Sequence, residues 1–526
     1  MTARPHPARP HHVRSRQPRS HRWRARFGVT LTAAVVLAGC GSADQGVTTG
    51  RSVDQATGAT VPLTPDTPDT PDTPDTTNPD NPLEPTQDTT PPPTGEGIID
   101  FGDAKTPQPY DNFLNAAFAD ITDFWAENYP VLYGEPFEPV AGIYAHYPER
   151  SDLPEDCGRP LLYSDVEMNA FYAFCGDIIV YDDAQLLPEL VEKLGAAAVG
   201  VVAAHEYAHA VQLRSGFFDV DRPTVDGEQM ADCFAGAWAA HVALGESDTL
   251  SFDDNDVKAG IVAMIEVRDP PGIDVAADPN GHGSAFDRVG AFQDGFINGV
   301  ARCADFVNNP NPRIDLVFTE ADFETGGDLS ITEMLDELPL ALDTFWEPTL
   351  AGSNIAFTAP TLQAFDPAAG APSCEGLPIE QLVVDATFCP STNTIVYDQT
   401  FVAELWDLFG DLSFSYPIAV AYSDAVQVAL QSSLAGEPRE LLNDCLVGAW
   451  IVDIVPVVNV DGTSGPRNPN QSILLSAGDL DEVVLTAVAL GDEASASNVR
   501  GTAFEKIDAF RAGVQRGLPG CQDRIG

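Results

Sequence analysis

VVAAHEYAHAVQLRSG (Val201–Gly216) places His205, Glu206 and His209 in the order H-E-x-x-H. Its apolar residues recur at helical spacing, and Ser215-Gly216 is a stop signal for a helix. Residues four apart lie about 40° apart round a helix axis, so both imidazoles face one way. Glu206, beside the first His, can then reach a water held on the same metal. The ordinary alternative is two packed or solvated histidines on an ordinary helix. The rest of the chain decides between them.

Catalytic zinc usually takes three protein ligands, and this helix supplies two. The next helical segment, EQMADCFAGAWAAHVALG (Glu228–Gly245), opens with Glu228 and gives the spacing HExxH-x18-E. Asp232, four residues on, shares the face of Glu228 and can fix a ligand imidazole from behind. It is also the competing third ligand. Glu228 has a structural alternative of its own, capping and dipole pairing at the start of its helix. His282, in the loop DPNGHGS (Asp278–Ser284), is a candidate donor to the oxyanion of an attacked carbonyl. Its competing role is a backbone-bonded cap for the following helix. Tyr207 reads as packing, His241 points away from Glu228 on the same helix, and His146 has no evident role.

HEYAHAVQ (His205–Gln212) followed by EQMADCFAGAWAAH (Glu228–His241) resembles the gluzincin metallopeptidases and, more closely, the neutral zinc metallopeptidase family of bacteria. A later segment, Asn280 to Ser284 with Arg288, Phe292 and Gly295, is similar to that family too. The likeness covers about Tyr110 to Cys303. It implies a zincin fold with Zn2+ on His205, His209 and Glu228. It also implies peptide-bond hydrolysis through a zinc-bound water, with Glu206 as general base. Ala208 and Ala210 stand where Gly and His are expected, but neither is a ligand position.

The net charge of −52 argues against nucleic acid as a partner and for a soluble, exported protein, though adaptation to salt explains it as well. Residues 1–39 read as a lipoprotein signal peptide. Arg and His fill the start, and Phe27–Gly39 forms a short apolar run. Leu37-Ala38-Gly39-Cys40 resembles the lipobox of bacterial lipoproteins, which makes Cys40 the lipidated residue. This predicts anchoring on the outer face of the cytoplasmic membrane, with a peptide or protein of the cell envelope as substrate. Residues 40–97 are rich in Pro, Thr and Asp, with TPDTPDTPDTPD at Thr64–Asp75, and read as a disordered tether. No other stretch is long and apolar enough to span a bilayer.

The globular part reads as mainly helical α+β. Tyr110–Gly134 has the spacing of an amphipathic helix, while Gly142–Tyr147 and Asp177–Asp182 look like strands. Helices are also expected over Leu250–Ile265, with Ser251 as N-cap, and over Gly283–Cys303. Asp253-Asp254-Asn255-Asp256 lacks the Gly and distal Glu of an EF-hand and reads as acids at a helix N-terminus.

Six signatures occur twice in the same order. They are Phe124-Trp125 and Phe345-Trp346; Cys157 and Cys374; Cys175 and Cys389, each with IVYD; Ala210–Gln212 and Ala425–Gln427; DC…GAW at Asp232–Trp238 and Asp444–Trp450; and F-x-x-G-x-x-x-G-x-x-x-C at Phe292–Cys303 and Phe510–Cys521. A tandem duplication follows, with domains at 98–310 and 311–526 and the second repeat packed on the first. An exported chain keeps its cysteines oxidised. Pairing within each repeat predicts Cys157–Cys175, Cys233–Cys303, Cys374–Cys389 and Cys445–Cys521. Glu228 and Asp232 align with Glu440 and Asp444. Opposite His205, Glu206, His209 and His282, however, stand Val420, Ala421, Asp424 and Arg500. The second repeat is therefore expected to bind no metal. The functional expectation is a membrane-anchored zinc metallopeptidase. Its rival is a non-catalytic envelope binding or scaffold lipoprotein.

Overall fold

The computed structural model describes residues 97–526 apart from 279–280, 321, 370–371, 375–376, 379–385, 459–463, 493–499 and 525–526. The signal segment, Cys40 and the tether lie outside the described residues. The protein is mainly helical, with small sheets, an α+β arrangement.

Helix α1 (Asp111–Tyr133) buries Leu114, Phe118, Ile121 and Trp125 on one stripe, the helical spacing that predicts it. Gly134 ends it in the left-handed conformation, φ 80°, with its N–H on the Pro130 carbonyl. A four-stranded sheet follows in the order β1-β2-β4-β3, from Ile99–Asp100, Gly142–His146, Ala170–Ala173 and Ile178–Asp182. β1, β2 and β4 are parallel, and β3 runs antiparallel to β4 as an edge strand. Helix α2 (Leu186–Leu194) leads to α3 (Ala196–Arg214), which carries H-E-x-x-H.

α3 is buried on nearly every side, from Ala197 to Gln212 except at His209. Its Ala and Val residues suit such a position, being small and without polar groups to satisfy. Ser215 and Gly216, the latter at φ 75°, stop it where the sequence indicates. Helices α4 (Thr224–Ala243) and α5 (Asp254–Glu266) pack against it, and α6 (Ala285–Ala304) packs along the α4 helix.

Two local expectations need correcting. α5 starts at Asp254, and its cap is Asp253 rather than Ser251. The Asp253 carboxylate accepts from the N–H groups of Asn255 and Asp256 at 2.8 and 3.0 Å, and Asp256 returns a bond. A carboxylate with two donors in reach outcompetes a hydroxyl two residues earlier. α4 starts at Thr224, a turn before Glu228, so Glu228 lies past the unpaired N–H groups of that helix end. Terminal capping does not account for it.

The second half is again helical with a small sheet. α7 (Ile331–Gly352) precedes a three-stranded sheet, order β5-β7-β6, from Thr361–Phe365, Ala386–Cys389 and Thr394–Asp398. Then come α8 (Gln399–Leu408), α9 (Asp411–Ala429), α10 (Glu437–Ile454), α11 (Asp479–Leu490) and α12 (Ala503–Arg516). All four disulfides form as predicted.

Two helix pairs pack unusually tightly. A Cβ added at Gly236 of α4 would overlap the Phe292 carbonyl of α6, and one at Gly295 would overlap the Cys233 carbonyl. Gly448 and Gly513 stand likewise against the carbonyls of Phe510 and Cys445, on α10 and α12. Glycine lets the two backbones touch; Cys233–Cys303 staples the first pair, and Cys445–Cys521 ties α10 to the short turn of helix, Leu518–Cys521, that follows α12. One hydrophobic core runs through both halves, with Phe286 of α6 edge-on to Phe510 of α12 at 6.1 Å. Among the described residues no helix is long and apolar enough to cross a membrane.

Candidate metal centre

Burial of α3 fixes His205 and Glu206 in the interior, while His209 keeps a partly open side. α4 crosses it and brings up Glu228. The His205 Nε2 lies 3.2 Å from one Glu228 oxygen, and the His209 Nε2 lies 3.5 Å from the other. One ligand atom from each of the three residues falls within 4.8 Å of the others, and the two imidazole rings stand perpendicular.

The far nitrogens are held separately. His205 Nδ1 is 2.7 Å from Asp232, and His209 Nδ1 is 2.9 Å from the Gln212 side-chain oxygen. Gln212 in turn donates to the Gly227 carbonyl at 2.6 Å, which ties α3 to α4 beside the ligands. Asp232, with 0% exposure, is gripped by the Arg288 guanidinium at 2.8 and 2.9 Å. The third Arg288 nitrogen donates to the Val267 carbonyl.

This donor set fits zinc. Two Nε2 atoms and a carboxylate converge, and each imidazole is oriented through its other nitrogen, as ligand histidines are. Asp232 is spent on His205 and Arg288, so Glu228 rather than Asp232 faces the convergence point.

Charge shapes the same centre. Burial works to neutralise Glu228, but the His209 and His205 imidazoles and Arg288 outweigh it and hold its carboxyl far below the usual range. Burial would depress His205, yet Asp232 and Glu228 lift it to about 10. An arriving cation must therefore displace a proton from that ring. Burial raises the Glu206 carboxyl against the pull of both histidines. One Glu206 oxygen accepts the Tyr172 backbone N–H at 3.0 Å, from edge strand β3.

His282 is half-exposed at the loop before α6. Its Nδ1 lies 3.5 Å from Asp269, which also accepts the backbone N–H groups of His282 and Gly283. Asp269 holds the imidazole above its ordinary range, and Glu228 and Arg288 both act on its charge. Ser284, not His282, caps α6. Tyr207 is packed, its hydroxyl 3.0 Å from Thr122. His241 lies away from the centre, beside Asp120 and Phe124. His146 is buried against the Tyr147 carbonyl.

The residues that the sequence aligns with those of the centre in the second half have other surroundings. Val420 and Ala421 offer no ligand atom, and Asp424 pairs with Arg439. Asp444 takes the Lys506 ammonium at 2.9 and 3.0 Å, and the Tyr416 hydroxyl donates to one of its oxygens. Gln427 still donates to a helix carbonyl, that of Arg439.

Gln212, Arg288, Tyr172 and Asp269 are site residues to which the sequence assigns no role. Gln212 sits three residues after His209 on the same helix face, a spacing that could have marked it. Arg288 stands out in the sequence only as part of the segment resembling the family, and its role is not legible there because its partner is on another helix. No family model, curated protein or solved structure matches the chain.

Proposed function

We propose that the chain is an extracytoplasmic zinc-dependent peptidase whose chemistry belongs to its first half. The carrying observation is the convergence of His205 Nε2, His209 Nε2 and Glu228, with both Nδ1 atoms held from behind. Zinc on these ligands would supply a Lewis acid for the carbonyl and hydroxide at neutral pH. Glu206 is the general base. Tyr172 occupies one of its oxygens and leaves the other to take a proton and pass it to the leaving amine. Burial raises its carboxyl toward the working pH, which suits both halves of that transfer. His282, beside Asp269, is the donor to the developing oxyanion.

The paired signatures, the matching disulfides and the two glycine-packed helix pairs support a tandem duplication with a degenerate second copy. In this reading Cys40 carries lipid and anchors the protein at the membrane's outer face, so the substrate is a peptide or protein of the cell envelope. The rival is a non-catalytic envelope binding or scaffold protein. It is favoured by a second half that keeps its architecture with Val420 and Ala421 in place of ligand and base.

Metal analysis with a peptide-cleavage assay separates the two. One zinc per chain, lost in His205→Ala but kept in a Glu206→Gln variant that no longer cleaves, is the expected result. A Glu206→Gln variant with full activity would sink the mechanism. A chain that takes up no zinc would favour the scaffold.

A further inference from the structure

Two half-exposed aromatic rings stand beside the proposed centre. Phe174, 47% exposed, follows edge strand β3, and Phe218, 42% exposed, follows α3. Their centroids are 5.1 Å apart, edge to face. Phe174 continues to Tyr172 at 5.2 Å, and Phe218 continues to Phe217 at 5.3 Å. On a chain of net charge −52, adjacent phenylalanines open to water are a binding feature rather than a solubility feature.

The row is tied to both acids of the centre. At one end is Tyr172, whose backbone N–H sits on Glu206. At the other, the rings of Phe217 and Phe218 lie 3.4 and 3.7 Å from the Cβ position of Gly227, the residue before Glu228. A larger side chain at 227 would meet these rings. An extended peptide advances about 3.3–3.6 Å per residue. Phe174 is two residues past the N–H that sits on Glu206, so a peptide extended beside that strand passes Phe174, and Phe218 against it, about one or two residues from a bond held at Glu206.

We propose that Phe174 and Phe218 form a specificity subsite that selects peptides carrying a bulky apolar side chain, aromatic or leucine-like, close to the scissile bond. This rests on the peptidase reading above. The rings offer edges and faces to an apolar group and no hydrogen-bond partner to a polar one. The strongly negative chain adds a penalty against acidic residues.

The test uses the full-length, zinc-loaded chain and internally quenched Gly/Ser peptides with one variable position holding Phe, Leu, Ala or Glu. The Phe and Leu peptides should exceed the Ala peptide in kcat/KM by on the order of 10–100-fold, with Glu poorest. The double variant Phe174→Ser, Phe218→Ser should bring Phe and Leu down to the Ala level. Zinc content and the Ala rate should stay within about twofold of wild type on that scale. Equal rates for all four peptides in wild type, or an equal fall for all four in the variant, would overturn the subsite. So would a wild-type dimer, by sedimentation equilibrium, that the double variant abolishes while selectivity persists. If wild type cleaves nothing, the peptidase reading fails. Fluorescence anisotropy of the labelled Phe and Ala peptides on zinc-loaded Glu206→Gln then decides the subsite alone, and equal affinities would end it.

Discussion

Arg288 on α6 grips both carboxylate oxygens of Asp232 on α4, at 2.8 and 2.9 Å, and Asp232 in turn faces His205. Removing the guanidinium would strand a fully buried charge. Arg288→Met should cost about 3–5 kcal/mol, read as a lower urea midpoint. Arg288→Lys keeps the charge without the fork, as Lys506 does for Asp444. It should fold, but bind zinc about 10–100-fold more weakly in chelator competition. Unchanged affinity would mean that the pair serves only the fold.

Zinc should also appear as stability. A ligand at about 1,000 times its Kd adds roughly 4 kcal/mol to the native state. Chelation should therefore lower Tm by several degrees in wild type and leave His205→Ala unmoved. A Tm that ignores both zinc and chelator would contradict the centre.

The glycine contacts between helices predict a local intolerance. Gly236→Ala must push α4 off the Phe292 carbonyl, and Gly448→Ala must do the same to α10 at Phe510. Each should cost about 1–3 kcal/mol by denaturant titration, far above a surface Gly→Ala change in a helix, which stabilises. Neutral behaviour at both positions would refute the backbone contact.

Asp328, Asp411, Asp479 and Glu482 meet where α9 and α11 begin, and burial raises all four carboxyls. Asp411 reaches about 7, and so does Asp287, buried on α6. A carboxyl raised on folding adds stability that is complete below its unfolded pKa, near 4, and lost as pH rises through about 7. Glu228 and Asp232 have the opposite sign, but their loss begins only below about 4.5. Between pH 5 and 8 the raised group should dominate, so stability should fall as pH climbs, by roughly 1 kcal/mol per pH unit for each group titrating there, and Tm should fall with it. Asp411→Asn should flatten the slope. A Tm that rises across this range would show the cluster ionised at little cost.

Much of the fold could be read from period and punctuation. Helices α1 and α3 to α6 follow from spacing and motif, and Gly134 and Gly216 mark two of their ends, while the short α2 went unread. Ala170–Ala173 went unread because four residues carry too little alternation, although this strand supplies the N–H that orients Glu206. The disulfides were legible because two sets of cysteines shared one order. His205, Glu206, His209 and Glu228 could be named because helix geometry and one spacing join them. Arg288 and the Asp328–Glu482 cluster could not, since each depends on distant segments meeting in space.

The Tyr416 hydroxyl bonded to Asp444 constrains anyone who would engineer a metal into the second half. Writing histidines at positions 420 and 424 would aim a ring nitrogen at an acceptor that already has its donors. The order of edits then matters. On the proposed duplication Tyr416 stands opposite Val201 of α3, and it would have to be cut back to a residue of that size before a histidine at 420 had anything to lean on. Arg439 has to be turned away from Asp424 before a second one has room. Histidines installed first would be trapped as misplaced bases, and the design would lose stability without gaining an ion.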